Sequence, residues 1–555
     1  MSLSEVRIIV AIDFGTTYSG FAYVHKESKD METNCTWPDR EGVFKTPTAL
    51  QYDETYTKVV SWGEAALVDE FEDWEDYESQ HTRPIEYFKL HISDLHKTEK
   101  PWLPAELTYI KAIQDYLQQM KILIKETLNT RWPGVKFPEQ VGLVLTIPAE
   151  WPPNTTAIMR KCAFGAGLLT SQNSSQLEFT TEPEAAALYC LNIVKDYNLL
   201  PGDSFLIADC GGGTIDLTMR KLLPDNKLSE ITERVGDLCG GTFVDKEFLN
   251  FLGRNVGFQA LEALKKNNYG QLQGLIRKFF CVRVKHRFSG DSKEFKVVRL
   301  NLQQFCPDLA KYVTNNIKSD LESKGWVIKI DFETVKLMFD PVINKIIKLI
   351  SDHLKSTNEK CSIMFLVGGF SESKYLLRQV KEHFKDENMQ IAVPSSPITA
   401  VVRGAITYGL NVEIVNDRIL KWTYGISVVN PHVPGRDPKK RRTPDGYIQK
   451  FHLLATRGSN TEVKKKFFGK FVPLRFDQPT ILFNVYYTHK KGGAKYCDEP
   501  GMKFLGSLNI NNPMKYNKAG TIEFSLTFGL MEIKATACNS ETKKPYKEVT
   551  FKINF

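Results

Sequence analysis

Two stretches of the chain share one order of apolar and polar positions. Each begins with an apolar run that ends in Asp, continues through a turn of Gly and Thr, and then alternates apolar with polar residues. The first covers residues 7–24 and the second covers residues 205–219. A run that resumes with period two after a short turn is typical of a β-hairpin and not of a strand-to-helix phosphate loop. The repeat therefore predicts two hairpins, one in each of two related lobes.

Helical and strand patterns alternate between and after these hairpins. Apolar residues recur at spacings of three and four from Ile110 to Leu128, which predicts an amphipathic helix. Val141–Ile147 and Ile363–Val367 are short apolar runs of the kind found in buried strands, and the second is followed by a helical pattern over Leu376–Phe384. This order predicts an α/β architecture that is duplicated as two lobes.

The pattern changes after about residue 422. Short alternating runs follow one another, separated by Gly, Asn, Pro and Lys, and no long helical pattern comes after them. Such spacing is typical of an antiparallel β-sandwich or barrel. The runs cover residues 453–455, 480–487, 505–510, 521–528, 532–537 and 549–553.

Length and composition favour a soluble protein with several domains. The 555 residues exceed what one hydrophobic core accommodates, and the apolar fraction of 42% is ordinary for a globular chain. No apolar run is long enough to span a bilayer, and Ile8–Ile12 is too short for the apolar region of a signal peptide. We therefore expect a soluble, cytoplasmic protein without a membrane partner.

Charge is distributed unevenly along the chain. Residues 412–555 contain 25 Lys and Arg against 12 Asp and Glu, whereas residues 1–411 contain 48 against 53. The basic character therefore belongs to the C-terminal quarter, which indicates a domain boundary near residue 412. This distribution argues against nucleic acid as a partner along the whole chain.

The ten cysteines are scattered, without any Cys-x-x-Cys pair or neighbouring Cys/His set. This spacing predicts reduced and mostly buried thiols. It supports neither a zinc site nor a disulfide framework.

The turn after the first strand offers the chemistry of a phosphate site. Asp13 precedes Gly15, Thr16 and Thr17, which supply close backbone approach, hydroxyl groups and consecutive N–H donors. Alone, this is equally well a tight hairpin. The second copy, Asp209 followed by Gly211–Thr214, favours two hairpins that hold one nucleoside triphosphate between two lobes. Magnesium would be bound to the carboxylates through water.

Five motifs, in conserved order and spacing over residues 7–410, resemble the ATPase superfamily of actin, sugar kinases and 70-kDa heat-shock chaperones, and the chaperones most of all. The resemblance implies an actin-like nucleotide-binding domain with ATP or ADP and Mg²⁺ as cofactors. The motifs are Ile12–Ser19, Thr181–Ala187, Asp209–Asp216, Gly236–Thr242 and Leu366–Ser371.

Shorter segments of the C-terminal region resemble the peptide-binding β-domain of the chaperones: Tyr424–Ile426, Phe504–Leu508, Ile522–Phe524 and Lys534–Ala537. The helical lid and acidic tail have no counterpart, and Glu413–Arg418 replaces the hydrophobic linker. The chain thus resembles the divergent lidless branch, heat-shock 70 kDa protein 12.

The resemblance also implies domain boundaries. The nucleotide-binding domain would cover residues 1–411, with lobe I at about 1–200 and lobe II at about 201–411. Residues 412–421 would be the linker, and residues 422–555 the β-sandwich domain for polypeptide clients.

The resemblance further implies the role of each site residue. Asp13, Glu182 and Asp209 would order the waters of magnesium, and Asp216 would orient or deprotonate the attacking water. Glu182 is alternatively an acidic residue that stabilises the first turn of a helix. The remaining phosphate contacts would come from Gly15, Thr16, Thr17, Tyr18, Gly211, Gly212, Gly213, Thr214, Gly240, Gly241 and Thr242.

Around the adenosine, the matching residues are Lys285, Ser289, Gly368, Gly369 and Ser371. Three positions depart from the chaperone pattern, namely Val282, Glu372 and Ile398. The departures predict that adenine is held loosely or differently.

The chaperones have a catalytic lysine, and two lysines of this sequence are candidates for that position. They are Lys89 and Lys97, of which Lys89 is favoured.

Two basic clusters lie in the C-terminal region. Lys439–Arg442 is either a solvated hairpin loop or a nuclear-localisation or polyanion patch, and Lys464–Lys466 either an interaction face or a strand gatekeeper. A nuclear location is therefore a second expectation beside the cytoplasm.

Three functions fit these features. The leading one is a chaperone-like protein whose slow, Mg²⁺-dependent ATP hydrolysis is coupled to polypeptide binding, with co-chaperones as further partners. The second is a nucleotide-binding scaffold or adaptor with little turnover. The third is a small-molecule kinase of the same superfamily, which would leave the basic β-domain unexplained.

Overall fold

The chain forms two compact units, each described by itself below. The computed structural model describes residues 3, 5–67, 82–93, 96, 100–149, 151–152, 155–475, 477–512, 521–528 and 531–550, with the side chains of 548–550 excepted. The first unit comprises residues 1–151, 162–219 and 235–411, and the second comprises residues 152–161, 220–234 and 412–555. The domain boundaries expected from the sequence stay predictions.

The strands, numbered in chain order, are β1 Ile8–Phe14, β2 Tyr18–His25, β3 Met31–Thr33, β4 Thr36–Trp37, β5 Arg40–Glu41, β6 Thr46–Pro47, β7 Ala49–Tyr52, β8 Val59–Trp62, β9 Ile85–Glu86, β10 Val141–Ile147, β11 Leu177–Thr181, β12 Ser204–Cys210, β13 Ile215–Leu223, β14 Lys227–Glu230, β15 Val235–Asp237, β16 Val298–Asn301, β17 Val327–Ile330, β18 Cys361–Val367, β19 Gln390–Ala392, β20 Asp417–Ile419, β21 Thr423–Pro431, β22 Tyr447–Ala455, β23 Asn460–Glu462, β24 Lys466–Phe471, β25 Thr480–Thr488, β26 Lys503–Asn511, β27 Ile522–Thr527, β28 Lys534–Asn539 and β29 Pro545–Thr550.

The α-helices, numbered in the same way, are α1 Tyr109–Arg131, α2 Thr155–Gly165, α3 Glu182–Leu191, α4 Thr242–Val256, α5 Phe258–Asn267, α6 Tyr269–Gly274, α7 Leu302–Phe305, α8 Asn315–Ser323, α9 Phe332–Lys355, α10 Lys374–His383 and α11 Ala400–Leu410. A π-helix over Leu275–Val284 follows α6 directly. No helix in the described ranges is long and apolar enough to cross a membrane.

The first unit contains two mixed sheets. In one, the strand order is β11-β10-β1-β2-β3, with β6 beside β2. Strand β1 pairs in parallel with β10 and antiparallel with β2, and every residue of β1 and β10 is buried. Continuous apolar runs suit such central strands because both faces of the sheet are covered.

The second sheet repeats this arrangement. Strand β12 lies between β13 and β18, β19 lies beyond β18, and β15 pairs with the start of β13. The parallel partners β12 and β18 are almost entirely buried. In both sheets, therefore, the strand that carries Asp13 or Asp209 near its end is central, and the chain continues from it through a turn into the neighbouring strand.

Helix α3 is held in place by α11. A side chain at Gly404 of α11 would overlap the backbone carbonyl of Ala185 in α3, so only glycine permits this close crossing. Helix α3 begins at Glu182, with Thr181 as its N-cap. The crossing thus fixes the position of Glu182 at the edge of the first sheet.

Most of the second unit consists of two four-stranded antiparallel sheets, ordered β22-β21-β25-β26 and β24-β27-β28-β29. Side chains from both sheets form one hydrophobic cluster that includes Ile426, Val485, Leu508, Phe524 and Ala537. The unit also contains the end of β13 paired with β14, and β20 paired with β23.

The structure confirms the mixed α/β character that the pattern predicts. Helix α1 covers the predicted face from Ile110 to Leu128, and β10 has the predicted bounds Val141–Ile147. Each predicted C-terminal run coincides with a strand, except that residues 551–553 lie outside the described residues. All ten cysteines are free, and six of them are buried.

Candidate functional site

The carboxylate of Asp13 lies at the end of β1 and is 3% exposed. Lys45 Nζ donates to Asp13 Oδ2 at 2.6 Å, and Thr146 Oγ1 donates to Asp13 Oδ1 at 3.1 Å. Burial opposes the charge on Lys45, but the adjacent Asp13 outweighs it and raises the pKa of Lys45. Asp13 is therefore a buried carboxylate that Lys45 and Thr146 orient from two sides.

Asp209 occupies the same position at the end of β12 and is also buried. Burial, together with the carboxylates of Glu182 and Asp216, raises the pKa of Asp209 well above its ordinary value. A side chain at Gly368 would overlap Asp209 Oδ1, and Gly368 has a φ of +82°, so glycine is required there on two grounds. The glycine brings the turn after β18 against the carboxylate.

Glu182 is both a first-turn residue of α3 and a member of the acidic cluster. Lys89 Nζ donates to Glu182 Oε1 at 2.8 Å. Burial raises the pKa of Glu182, and Lys89 opposes the rise. Lys89 itself is 1% exposed, and its ammonium group lies 5.0 Å from the ring centre of Trp151 and 5.6 Å from that of Phe14. Of the two candidate lysines, Lys89 is thus in the cluster, whereas Lys97 lies outside the described residues.

Asp216 follows the second turn at the start of β13 and is 1% exposed. The backbone N–H of Ala149 donates to Asp216 Oδ1 at 3.3 Å. The carbonyl of Thr214 accepts a bond of 3.0 Å from the backbone N–H of Gly211, which closes the turn.

The two turns approach each other directly. A side chain at Gly212 would overlap Thr17 Oγ1, and one at Gly213 would lie 3.3 Å from the Cβ of Thr16. Gly15 is equally restricted, because a side chain there would overlap the carbonyl of Tyr18. The glycines therefore allow two polar turns, rich in backbone N–H groups, to face each other at close range.

A third loop is fastened to the second turn by four hydrogen bonds. The backbone N–H groups of Gly240, Gly241 and Thr242 donate to the carbonyls of Gly213, Gly211 and Gly212 at 3.2, 3.0 and 2.9 Å. The hydroxyl of Thr242 donates to the Gly212 carbonyl at 2.8 Å. This loop leads into α4, which begins at Thr242.

Lys285 and Ser371 lie at this part of the site, while Ser289 has local partners. Lys285 Nζ donates at 2.7 Å both to the Gly241 carbonyl and to Asp245 Oδ1. Ser371 Oγ donates to the Gly368 carbonyl at 2.6 Å. Ser289 Oγ donates to Glu294 at 3.4 Å and accepts from the N–H of Asp291 at 3.3 Å.

The three departures around the adenosine positions have distinct surroundings. Ile398 is 3.9 Å from where a Cβ on Gly369 would lie. Val282 is 50% exposed and Glu372 is exposed. Val282 and Ile398 have no ionisable group, and the carboxylate of Glu372 is at the surface.

Tyr18 connects the first hairpin to the helices after residue 268. Arg277 Nη1 donates to the Tyr18 hydroxyl at 3.0 Å, and Arg277 Nη2 donates to Glu86 Oε1 at 2.9 Å. The hydroxyl of Tyr269 donates to Glu86 Oε2 at 2.6 Å. The predicted phosphate contact of Tyr18 stays a prediction, and the structure adds this side-chain network to it.

The charges of the cluster favour a divalent cation. The four carboxylates of Asp13, Glu182, Asp209 and Asp216 outnumber the two ammonium groups that face them, Lys45 and Lys89. Burial and the neighbouring carboxylates raise the pKa of Asp209, and a bound cation would relieve this crowding of acidic groups. In the described part of the chain, no group of three or more His, Cys, Asp or Glu side chains is close enough to hold a metal ion directly. The residues present fit a magnesium ion that is bound through water and phosphate oxygens.

Sequence reasoning missed Lys45, Thr146 and Arg277. Lys45 precedes β6, and it reaches Asp13 only because β6 pairs with β2 next to β1. Thr146 lies in β10, whose parallel pairing with β1 brings it near Asp13. No local motif marks either residue, so only the strand pairing could have revealed them.

Comparison with known proteins adds a second line of support. No protein-family model matches the chain. It is 26% identical to heat shock 70 kDa protein 12A of Homo sapiens, over 97% of this chain and 90% of that protein, and the Mus musculus protein gives the same values. Heat shock 70 kDa protein 12B of Homo sapiens is 25% identical over 98% of this chain and 90% of its own length.

These similarities extend over nearly the whole chain. They confirm the resemblance to the 70-kDa heat-shock family, in its protein 12 branch, that the motifs indicate. They also support a nucleotide-binding protein of the Hsp70 type.

Proposed function

We propose that this chain, which is similar to heat shock 70 kDa proteins 12A and 12B, binds ATP or ADP with Mg²⁺ between its two facing turns and hydrolyses ATP slowly. The observation that carries the proposal is the approach of Gly212 and Gly213 to Thr17 and Thr16. Two turns of Gly and Thr that meet at close range suit a phosphate chain, since a concave set of backbone N–H donors binds anions.

The carboxylates would position the metal and its water molecules. Magnesium, when bound with the nucleotide, would neutralise negative charge on the β- and γ-phosphates. Asp13 and Asp209 lie at the ends of the two central strands, and rigid strands keep their oxygen atoms in place. Lys45 and Lys89 hold Asp13 and Glu182 in fixed rotamers through short ion pairs.

Asp216 is the residue that we assign to the attacking water. Its carboxylate is buried, and the N–H of Ala149 fixes one oxygen atom. The second oxygen would accept a proton from the water or orient it. Positioning and charge stabilisation are the main contributions to phosphoryl transfer, and this arrangement supplies both.

The second unit would bind extended polypeptides. Its strands expose several large apolar side chains, among them Phe468 at 58%, Leu482 at 55% and Phe504 at 51%. Exposed strand edges and apolar side chains are the groups that recognise extended peptides. Co-chaperones and a cytoplasmic location, with the nucleus as a second one, belong to the same proposal.

One observation favours the second candidate, a scaffold with little turnover. Lys285 already pairs with Asp245 and the Gly241 carbonyl, and Ser289 pairs with Glu294. A nucleoside would have to compete with these partners for the same side chains. Weak adenosine contacts would reduce affinity without changing the groups around the γ-phosphate.

Single-turnover ATP hydrolysis by the full-length chain, with and without an unfolded peptide, tests the proposal. We expect Asp209→Asn to slow hydrolysis about 100-fold, because it removes charge that is needed mainly in the transition state. Thr214→Val should act in the same direction, and Asp13→Asn should weaken Mg²⁺-dependent binding in calorimetry.

Asp386→Asn is the matched control, because Asp386 is an exposed carboxylate away from the site. If the wild type and Asp209→Asn hydrolyse ATP equally slowly and both bind nucleotide, the scaffold function is favoured over the enzyme function. Absence of nucleotide binding in the folded wild-type chain would contradict both.

A further inference from the structure

A hollow in the first unit has the character of a second binding site. Its volume is about 400 Å³, within the range of pockets that hold small organic molecules. None of its lining residues belongs to the five nucleotide motifs. The hollow is lined by Arg83, Tyr87, Pro101, Trp102, Glu262, Lys265, Lys266 and Tyr269.

Arg83 is held in this hollow by two aromatic rings. Its guanidinium carbon lies 4.4 Å from the ring centre of Trp102 and 4.5 Å from that of Tyr269. Contacts of this kind fix the position of a guanidinium group without using its N–H donors. The Tyr269 hydroxyl is itself engaged, since it donates to Glu86 and accepts from Gln273.

The Nε–H of Arg83 is a buried donor without a hydrogen-bond partner in the described chain. A buried donor on a charged group is costly to leave unpaired, so native proteins usually supply an acceptor. The donor edge of arginine matches the oxygens of a carboxylate or phosphate in spacing and charge. An anionic ligand would supply the missing acceptor.

The surrounding charges also favour an anionic ligand. Arg83, Lys265 and Lys266 face one lining carboxylate, Glu262, which lies 3.6 Å from Lys265. Trp102 is 42% exposed, so part of its indole remains free to pack against a flat apolar group.

A second hollow separates the effect of charge from that of the rings. It has a volume of about 410 Å³ and is lined by Lys374, Leu377, Arg378, Lys381 and Glu382, so it also has three cations and one carboxylate. It has no aromatic lining, and Arg378 already donates to the carbonyl of Gly290 at 3.0 Å. Charge alone is therefore common to both hollows, whereas the rings and the unpaired donor distinguish the first.

We propose that the hollow around Arg83 is a binding site for a small aromatic anion, in which the Arg83 donor edge holds a phosphate or carboxylate group and Trp102 packs against the ring. The two lysines would attract the anion. The lining residues lie outside the five nucleotide motifs, and the existence of the site does not depend on ATP hydrolysis.

Isothermal titration of the full-length protein with three probes, in saturating Mg²⁺ and ADP, tests this proposal. Benzylphosphonate has both a ring and an anion, methylphosphonate has the anion alone, and benzyl alcohol has the ring alone. We expect benzylphosphonate to bind at least about tenfold more tightly than either of the others, since one well-placed charged or aromatic contact contributes about that factor.

Variants then assign the site. Arg83→Gln should lower the affinity for benzylphosphonate about tenfold or more. Trp102→Ala should lower it to nearly the affinity of the wild type for methylphosphonate. Lys381→Gln, in the second hollow, is the matched control and should leave affinity unchanged. If circular dichroism shows that Arg83→Gln does not fold, the double variant Lys265→Gln and Lys266→Gln replaces it. Its expected loss of affinity for benzylphosphonate shrinks at high salt.

Three results would overturn the proposal. The first is equal affinity for benzylphosphonate and methylphosphonate. The second is equal affinity in the Arg83 or double-lysine variant and in Lys381→Gln. The third is benzylphosphonate binding that appears only without ADP, which would assign it to the nucleotide site.

Discussion

Lys89 Nζ lies 2.8 Å from Glu182 Oε1, and the two side chains are only 2% and 11% exposed. The pair joins the segment after β9 to the first turn of α3, in the middle of the acidic cluster. In such a pair each charge depends on the other, because removal of one partner leaves an uncompensated charge away from water.

We predict that Lys89→Met lowers the free energy of unfolding by about 3 kcal/mol, the usual cost of breaking a buried ion pair. Denaturant titration of the wild type and the variant measures this loss. Adding Glu182→Gln to Lys89→Met should restore part of it, because the unpaired charge is then removed. Lys125→Met, an exposed position on α1, is the control. A loss no larger than in Lys125→Met would show that Lys89 does not stabilise the cluster.

The origin of this cluster shows what could be predicted from the sequence. Asp13 and Asp209 each lie at the end of an apolar run, so the local pattern identifies them, whereas Glu182 was identified from a family motif. Lys89 was one of two candidates, since a lysine in a short 3-10 helix has no local signal that separates it from surface lysines.

Contacts between residues far apart in the chain determine the rest of the site. Lys45 reaches Asp13 through β6, and Arg277 reaches Tyr18 from a π-helix more than 250 positions away in the chain. The predicted C-terminal runs were found as strands, because period-two alternation is a local property. The inclusion of residues 152–161 and 220–234 in the second unit depends on tertiary packing and could not be read from composition.

The contact between the two turns gives a second prediction. Gly212→Ala should weaken ATP binding about tenfold or more, because the new methyl group would overlap Thr17 Oγ1 and force the turns apart. Combining it with Thr17→Gly removes the overlapping atoms and should recover part of the affinity. Calorimetry with Mg²⁺ and ATP measures both variants.

Gly274→Ala is the matched control, since a Cβ there meets nothing within 4 Å. Equal nucleotide affinity in Gly212→Ala and Gly274→Ala would contradict a nucleotide site between the turns.

A buried histidine predicts a pH dependence of stability. His353 in α9 is 3% exposed, and burial lowers its pKa to about 4. Because the folded pKa lies below the ordinary value near 6.5, the folded chain holds fewer protons than the unfolded chain between these values. The contribution of neutral His353 to the free energy of unfolding is therefore complete above pH 6.5 and is lost as the pH falls towards 4. Between pH 7 and pH 5 the loss amounts to about 2 kcal/mol.

Urea titrations at pH 7 and pH 5 measure this dependence. In His353→Leu the loss of stability on acidification should be smaller than in the wild type by about 2 kcal/mol. His383→Leu changes an exposed histidine and should keep the wild-type dependence. Identical pH dependence in the wild type and in both variants would show that the pKa of His353 is the same in the folded and the unfolded chain.

The last prediction concerns Asp417, where the segment after α11 meets β14 inside the second unit. Asp417 Oδ1 accepts from Ser229 Oγ at 2.8 Å and from the N–H of Glu230 at 3.1 Å. Glu230 in turn lies 3.1 Å from Arg220, which is fully buried and belongs to β13, the strand that begins after the Gly211–Thr214 turn.

A continuous strand and a set of buried polar contacts are the kind of element through which nucleotide and peptide sites can be coupled. Under the proposed function, Asp417→Ala should therefore abolish most of the stimulation of ATP hydrolysis by peptide and leave basal hydrolysis within about twofold, since no catalytic residue is changed. Glu541→Ala, which removes an exposed carboxylate of the same unit, is the control. Stimulation that is the same in Asp417→Ala and in Glu541→Ala would exclude this segment from the coupling. Both variants replace an acidic side chain by a methyl group, and Asp417 is the one that contacts β14.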